Sequence, residues 1–326
     1  MPVKLCWWDS KNFGDALNPH LFKALGSSVK YAQSNEAEFL AVGSYMERLL
    51  IGALFDQRQS EQPISIWGTG FQFEPGHHLW FNNIKCPEEF IRPVNIFALR
   101  GKLSKERAEK ISEQNFDGIA LGDPGLLTSM IVDTKALKKK YRLGIFCHFT
   151  DNGNGIFNKI KANIKNSIRI DVEAPVTEIV KSMASCEAVI SSAMHPLIIA
   201  DSLRIPNQWI NISDNAISKY KFDDYYSVFN LKPQCFDLNL KVFDEEDLEQ
   251  LHTNYLITSE QVLEIQKGLI KACPLPGKLH QLSFPEKFTL RLREAVVRDK
   301  VISRFAENIE RKWHHGRSAV QKLVKR

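Results

Sequence analysis

Residues 176–203 read VTEIVKSMASCEAVISSAMHPLIIADSL, and this stretch decides the fold. Val176, Ile179, Val180, Met183 and Ala184 recur at i, i+3, i+4, i+7 and i+8, the stripe of a helix resting on a core, which predicts a helix over residues 177–186. The run at 188–191 then reads as a buried strand, and 197–203 returns to a helical pattern. Helix, strand and helix in immediate succession describe one repeat of a parallel α/β sheet.

The same alternation extends outward. Upstream lie strand patterns at 142–149 and 167–171; beyond the lysine-rich stretch 134–141, further strands are predicted at 3–8, 38–42, 64–67, 95–99 and 119–121. Helical patterns at 44–58 and 104–114 fall between them. The expected fold class is therefore α/β, with two doubly wound domains facing a cleft: residues 1–135 and 136–285, followed by a basic amphipathic helical segment, 286–326. In such folds the ligand sits beyond the carboxyl ends of the strands.

Composition narrows the function. The 326 residues are 44% apolar and 25% charged, as in ordinary globular proteins. The N-terminus enters a strand pattern directly with no signal-peptide layout, and no apolar run approaches the ~20 residues of a membrane helix, so a cytoplasmic location is expected. Six scattered cysteines form no Cys-x-x-Cys pair, and no metal site is expected. Of the net charge of +5, residues 286–326 carry 12 Lys and Arg against 5 Asp and Glu, so the rest of the chain is slightly acidic. This basic end either packs on the protein or rests on an anionic membrane surface at its inner face. No nucleic-acid motif accompanies it, and no nucleic-acid partner is expected.

Candidate site residues cluster at strand ends. Asn12-Phe13-Gly14-Asp15 follows the first strand; Asp15 either caps a helix or acts as an acid or base, with Asn12 and Gly14 lining the cleft. Gly68-Thr69-Gly70 follows the strand ending at Trp67, and both glycines are read as cleft-lining turn residues, too few for a dinucleotide fingerprint. Arg100 ends a strand and is suited to grip a carboxylate or phosphate, the alternative being a structural ion pair; Ser104 is read as the cap of the next helix. Asp123, in Gly122-Asp123-Pro124-Gly125, either lines the cleft or holds a turn. His148 and His195 close two strands of the second half, and Ser191 ends the strand before His195. Two histidines at strand ends of one domain point to acid–base work.

In this order, Asn-x-Gly-Asp, Arg-Gly, Gly-Asp-Pro, His148, the Ser-x-x-x-His ending at His195, and Ala200-Asp201 with Pro206 resemble the polysaccharide pyruvyltransferase family, closest to its succinoglycan-type ketal branch. The resemblance covers roughly residues 5–230, including Tyr220-Lys221-Phe222-Asp223-Asp224-Tyr225-Tyr226. It implies a glycosyltransferase-B-like pair of Rossmann-like domains, phosphoenolpyruvate as donor with no cofactor, and a lipid-linked oligosaccharide as acceptor. By the same resemblance Arg100 and His195 belong to the donor site, with Asp15 and His148 beside them. The family's Ser-x-Arg-Leu-His-Gly stands here as Ser191-Ser192-Ala193-Met194-His195-Pro196. With no Arg at 193, another cation, Arg204 or Lys102, is expected to help hold the donor. A nucleotide-sugar glycosyltransferase on the same fold is the alternative.

Overall fold

The structure, a computed structural model, describes residues 2–8, 12–50, 61–76, 88–130, 132, 134, 136–212 and 219–275. Residues Met1–Pro276 form one compact unit. The expected basic helix at 286–326 lies outside the described residues, as does most of the helical pattern at 44–58.

The first half alternates β1 (Val3–Cys6), α1 (Phe13–Ala24), β2 (Val29–Tyr31), β3 (Phe39–Leu40), β4 (Ile64–Trp67), β5 (Val94–Leu99), α2 (Lys102–Ser112) and β6 (Ala120–Leu121). The second continues with β7 (Tyr141–Phe146), α3 (Ile156–Asn163), β8 (Ser167–Arg169), α4 (Val176–Ala184), β9 (Cys186–Ser191), α5 (Met194–Ser202) and β10 (Asn207–Asn211). It closes with α6 (Lys219–Ser227), β11 (Cys235–Asp237), α7 (Glu245–Asn254) and α8 (Ser259–Ala272). All strands pair in parallel, in two sheets ordered β2-β1-β3-β4-β5-β6 and β11-β10-β9-β7-β8.

Both sheets follow one winding rule. The first strand of each sits between the second and the third, so the direction of winding reverses beside β1 and beside β7. A crevice opens where successive connections leave to opposite faces, beyond the carboxyl ends of β1 and β3 and of β7 and β9. The core explains why the elements form where they do. Val176, Ile179, Val180, Met183 and Ala184 of α4 are all buried, as their spacing predicts, while β9 is buried except at Glu187, as suits a strand covered on both faces.

Two local expectations are corrected. Residues 44–49 do not begin a long helix: a single 3-10 turn, Met46–Leu49, ends in an antiparallel bridge from Leu50 to Phe90. Ser104 is not a cap either, since α2 starts at Lys102 and buries Ser104 in its first turn.

The halves are also stitched together by late elements. Helix α6 packs on α2, and α8 returns to β5 and β6, where the Trp67 indole N–H donates to the Leu269 carbonyl at 2.8 Å. Among the described residues no helix is long and apolar enough to cross a membrane.

Candidate active site

The amino end of α1 supplies the first side of the site. Asn12 is its cap, its Oδ1 accepting the Gly14 N–H at 3.1 Å, which leaves Asp15 free of that task. Buried Asn18, one turn on, donates to the Val42 carbonyl at 2.8 Å and accepts the Val42 N–H at 3.0 Å, tying α1 to the chain leaving β3. Asp15 is buried. Its Oδ1 accepts a hydrogen bond from the Tyr45 hydroxyl, which itself accepts the Trp8 N–H at 2.9 Å. Because that hydroxyl already accepts from a backbone amide, its proton is directed at Asp15. Burial pushes the Asp15 carboxyl up to about 7, against the pull of Arg48 and Lys221.

The second sheet supplies the facing side. His195 is the second residue of α5, and its ring lies against Gly14: a Cβ there would stand 2.0 Å from Nδ1. Only glycine allows this approach of helix end to imidazole. His195 Nε2 is shut off from solvent and has no hydrogen-bond partner among the described residues. Burial, and then repulsion from Lys221, Arg100 and His148, pushes its pKa down to about 3, so the ring is neutral. His148 is held by the chain leaving β9: its N–H donates to Ser192 Oγ at 2.8 Å, and Ser192 donates to Asp151 Oδ2 at 2.7 Å. Its Nδ1 pairs with Thr150 Oγ1 at 2.6 Å, and burial pushes its pKa down to about 4. Ser191 Oγ accepts the Ala193 N–H at 3.0 Å, fixing the turn before His195.

The cation of the site is a residue outside the sequence-based candidates. Lys221 of α6 is buried, lies 5.6 Å from the Phe222 ring centre, and makes no hydrogen bond or ion pair among the described residues. Burial, then repulsion from Arg100, pushes its pKa down to about 7, while Asp15 works the other way. The same electrostatic neighbourhood includes both histidines.

Arg100 takes the structural role that its sequence left open. The Arg100 side chain is fully buried: its Nε donates to Asp224 Oδ2 at 2.9 Å, one terminal nitrogen to Ser44 Oγ at 2.5 Å and the other to the Phe71 carbonyl. Asp224 in turn accepts the Ser104 N–H at 2.8 Å and the Ser104 hydroxyl at 2.6 Å. The charge of Arg100 reaches Lys221 and His195, but its hydrogen bonds among the described residues all go to protein partners. Lys102 is exposed and sits on Asn230 Oδ1 at 2.5 Å. Arg204 lies past the far end of α5, roughly 13 Å along the helix from His195, where it binds the Asp201 and Ser202 carbonyls, each at 3.0 Å. Neither is among the charges that act on His195, whereas Lys221 is.

Asp123 holds its turn through the Gly125 N–H at 2.8 Å, yet its Oδ2 is buried without a partner and burial pushes its carboxyl up to about 7. Gly68 has φ 81°, and a Cβ there would meet the Pro124 ring at 2.4 Å; Gly70 is pressed against Ser104 and Arg100. Both are packed closely against neighbouring protein atoms beyond the carboxyl end of β4.

Chemically, the structure assembles a carboxyl near neutral pKa, two neutral imidazoles and a largely buried lysine that makes no hydrogen bond or ion pair among the described residues. Such a group of perturbed titratable residues at facing strand ends is suited to binding an anion and moving protons.

Among curated proteins, the chain is 29% identical over 123 residues to the uncharacterized protein L143 of Acanthamoeba polyphaga mimivirus, covering 36% of this chain and 43% of that one. It is 22% identical over 226 residues to the succinoglycan biosynthesis protein ExoV of Rhizobium meliloti, covering 68% and 64%. The chain thus aligns with less than two thirds of the length of either relative. A crystal structure of an uncharacterized protein from Klebsiella pneumoniae superposes with a TM-score of 0.39 at 13% identity, covering 72% of this chain and 92% of that one. Residues 8–214, which hold Asp15, His148 and His195, match the family described as polysaccharide pyruvyl transferase, and the chain belongs to that family.

Proposed function

We propose that this chain transfers the pyruvyl group of phosphoenolpyruvate to a sugar of an exopolysaccharide, closing a ketal across two hydroxyls. The observation that carries the reading is the largely buried Lys221, without a hydrogen bond or ion pair among the described residues, beside neutral His195 and His148 and opposite Asp15. Family membership supports it, and so does similarity to a protein of succinoglycan biosynthesis. We take the two sheets as a glycosyltransferase-B-like pair, and the acceptor as lipid-linked and presented at the cytoplasmic membrane face.

The donor carries a carboxylate and a phosphate on one enol carbon. Lys221 offers its ammonium to this charge, and the bound anion raises the pKa of the imidazoles, drawing a proton onto His195. His195 then protonates the donor CH2, leaving an oxocarbenium-like carbon. A sugar hydroxyl attacks that carbon as its proton passes to Asp15, whose pKa near 7 suits a base at neutral pH. The carbon–oxygen bond to phosphate breaks, inorganic phosphate leaves, and a second hydroxyl closes the ketal with loss of its proton.

A thermal-shift panel tests the donor. Phosphoenolpyruvate is expected to raise the melting temperature and nucleotide diphosphate sugars to leave it unchanged. Stabilisation by a nucleotide sugar alone overturns this reading.

A further inference from the structure

We propose that a second site, at the amino-terminal edge of the second sheet, binds a sugar bearing a carboxylate. A cavity of about 560 Å³ opens there, lined by the first residues of β10 and β11 and by the chain after α6 and α7. His195, by contrast, lies beyond the carboxyl end of β9. The volume falls in the range of small-molecule sites.

Its walls combine two chemistries. Trp209, Tyr226 and Phe236 present aromatic surface, and Trp209 is held rigid by lying flat on Phe222, with centroids 4.0 Å apart and planes 10° from parallel. Rigid rings suit the apolar C–H faces of a pyranose. Around them stand Lys232, Gln234 and Asn254, whose side chains have no hydrogen-bond or ion-pair partner among the described residues, and the Tyr226 hydroxyl, which makes no hydrogen bond there either. Amides and a phenol suit sugar hydroxyls. Lys232 is the charged residue among those lining the cavity, and none of them is Asp or Glu, so the site favours an anion over a cation. A ring face, hydroxyls and one negative charge together describe an acidic sugar. That the ligand is a glycan rests on the proposed function; the charge preference rests on the cavity alone.

The test is direct binding by calorimetry to the full chain, with three probes: a methyl glucoside carrying a pyruvate ketal, methyl glucuronide, and neutral methyl glucoside. Either or both carboxylated probes should bind at least tenfold more tightly than the neutral one. The ketal alone would mark a site for pyruvylated product; both together mark a general acidic-sugar site. Lys232→Glu, at an exposed position, should weaken the carboxylated probes at least tenfold and Tyr226→Phe by a smaller factor. Stabilisation by phosphoenolpyruvate should persist in Lys232→Glu. The proposal is overturned if no carboxylated probe binds, if the neutral probe binds equally, or if Lys232→Glu leaves affinity unchanged. The donor reading is judged separately, by whether phosphoenolpyruvate stabilises the unaltered chain.

Discussion

Lys221 is largely buried and makes no hydrogen bond or ion pair among the described residues, a costly state for an ammonium that an evolved core would replace with an apolar side chain unless the charge had a use. Replacing it with methionine, of similar length, should therefore raise stability while removing the response to phosphoenolpyruvate. We expect Lys221→Met to melt about 5 °C higher at pH 7. The gain is itself pH-dependent. The folded pKa, about 7, lies below the 10.5 of an ordinary lysine, so above pH 7 the unfolded chain holds the extra proton and the native protein gains stability as pH rises. The advantage of the methionine variant should accordingly shrink from pH 7 towards pH 10. A variant that melts lower, or keeps its donor response, would show Lys221 to be structural. The sequence displayed Asp15, His148 and His195 because each follows a strand pattern, whereas Lys221 lies in the first turn of α6, in an aromatic and acidic run whose depth no local pattern reveals. Tyr45 and Asn18 were hidden for the same reason: their partners lie 30 and 24 residues away.

The element that organises the site is α6. One helix carries Lys221 into the site and Asp224 onto Arg100, while the backbone of Asp224 presses on Gly101, where a Cβ would stand 1.8 Å from its carbonyl oxygen. Asp224→Ala would leave the Arg100 guanidinium buried and uncompensated, and such a change costs about 3–5 kcal/mol. Chemical denaturation should show that loss, and the weakened seat of α6 should lower donor affinity as well. A variant within 1 kcal/mol of the parent, a bound of roughly the size seen for exposed pairs, would show the pair to be energetically idle. At this scale strongly periodic elements were legible: β4 matches its expected span residue for residue, and the stripe of α4 is the one buried. The short strands β2 and β11, of three residues each, offer too little pattern to read. The 3-10 turn at Met46–Leu49 mimics a helix because Tyr45, Met46, Leu49 and Leu50 are all buried by tertiary contact rather than by helical period.

Across the whole molecule, the alternation of strands and helices foretold two parallel sheets, but not that the last described helix would cross back to the first of them. Trp67, fully buried at the end of β4, hands its indole N–H to Leu269, and the side chains of Ile265 and Leu269 approach Gly122 after β6. The chain that covers this part of the first sheet thus begins at Ser259, well over a hundred residues after Leu121. On a ribosome adding 5–20 residues per second, roughly ten seconds pass between them. Throughout that interval the nascent first half carries an uncovered apolar flank and an indole donor with no acceptor, a natural client for a holding chaperone. In an arrest-peptide assay, the first half should develop full folding force only once Ala272 has cleared the exit tunnel. Full force from a nascent chain ending near residue 140 would mean that the first sheet closes without its distant cover.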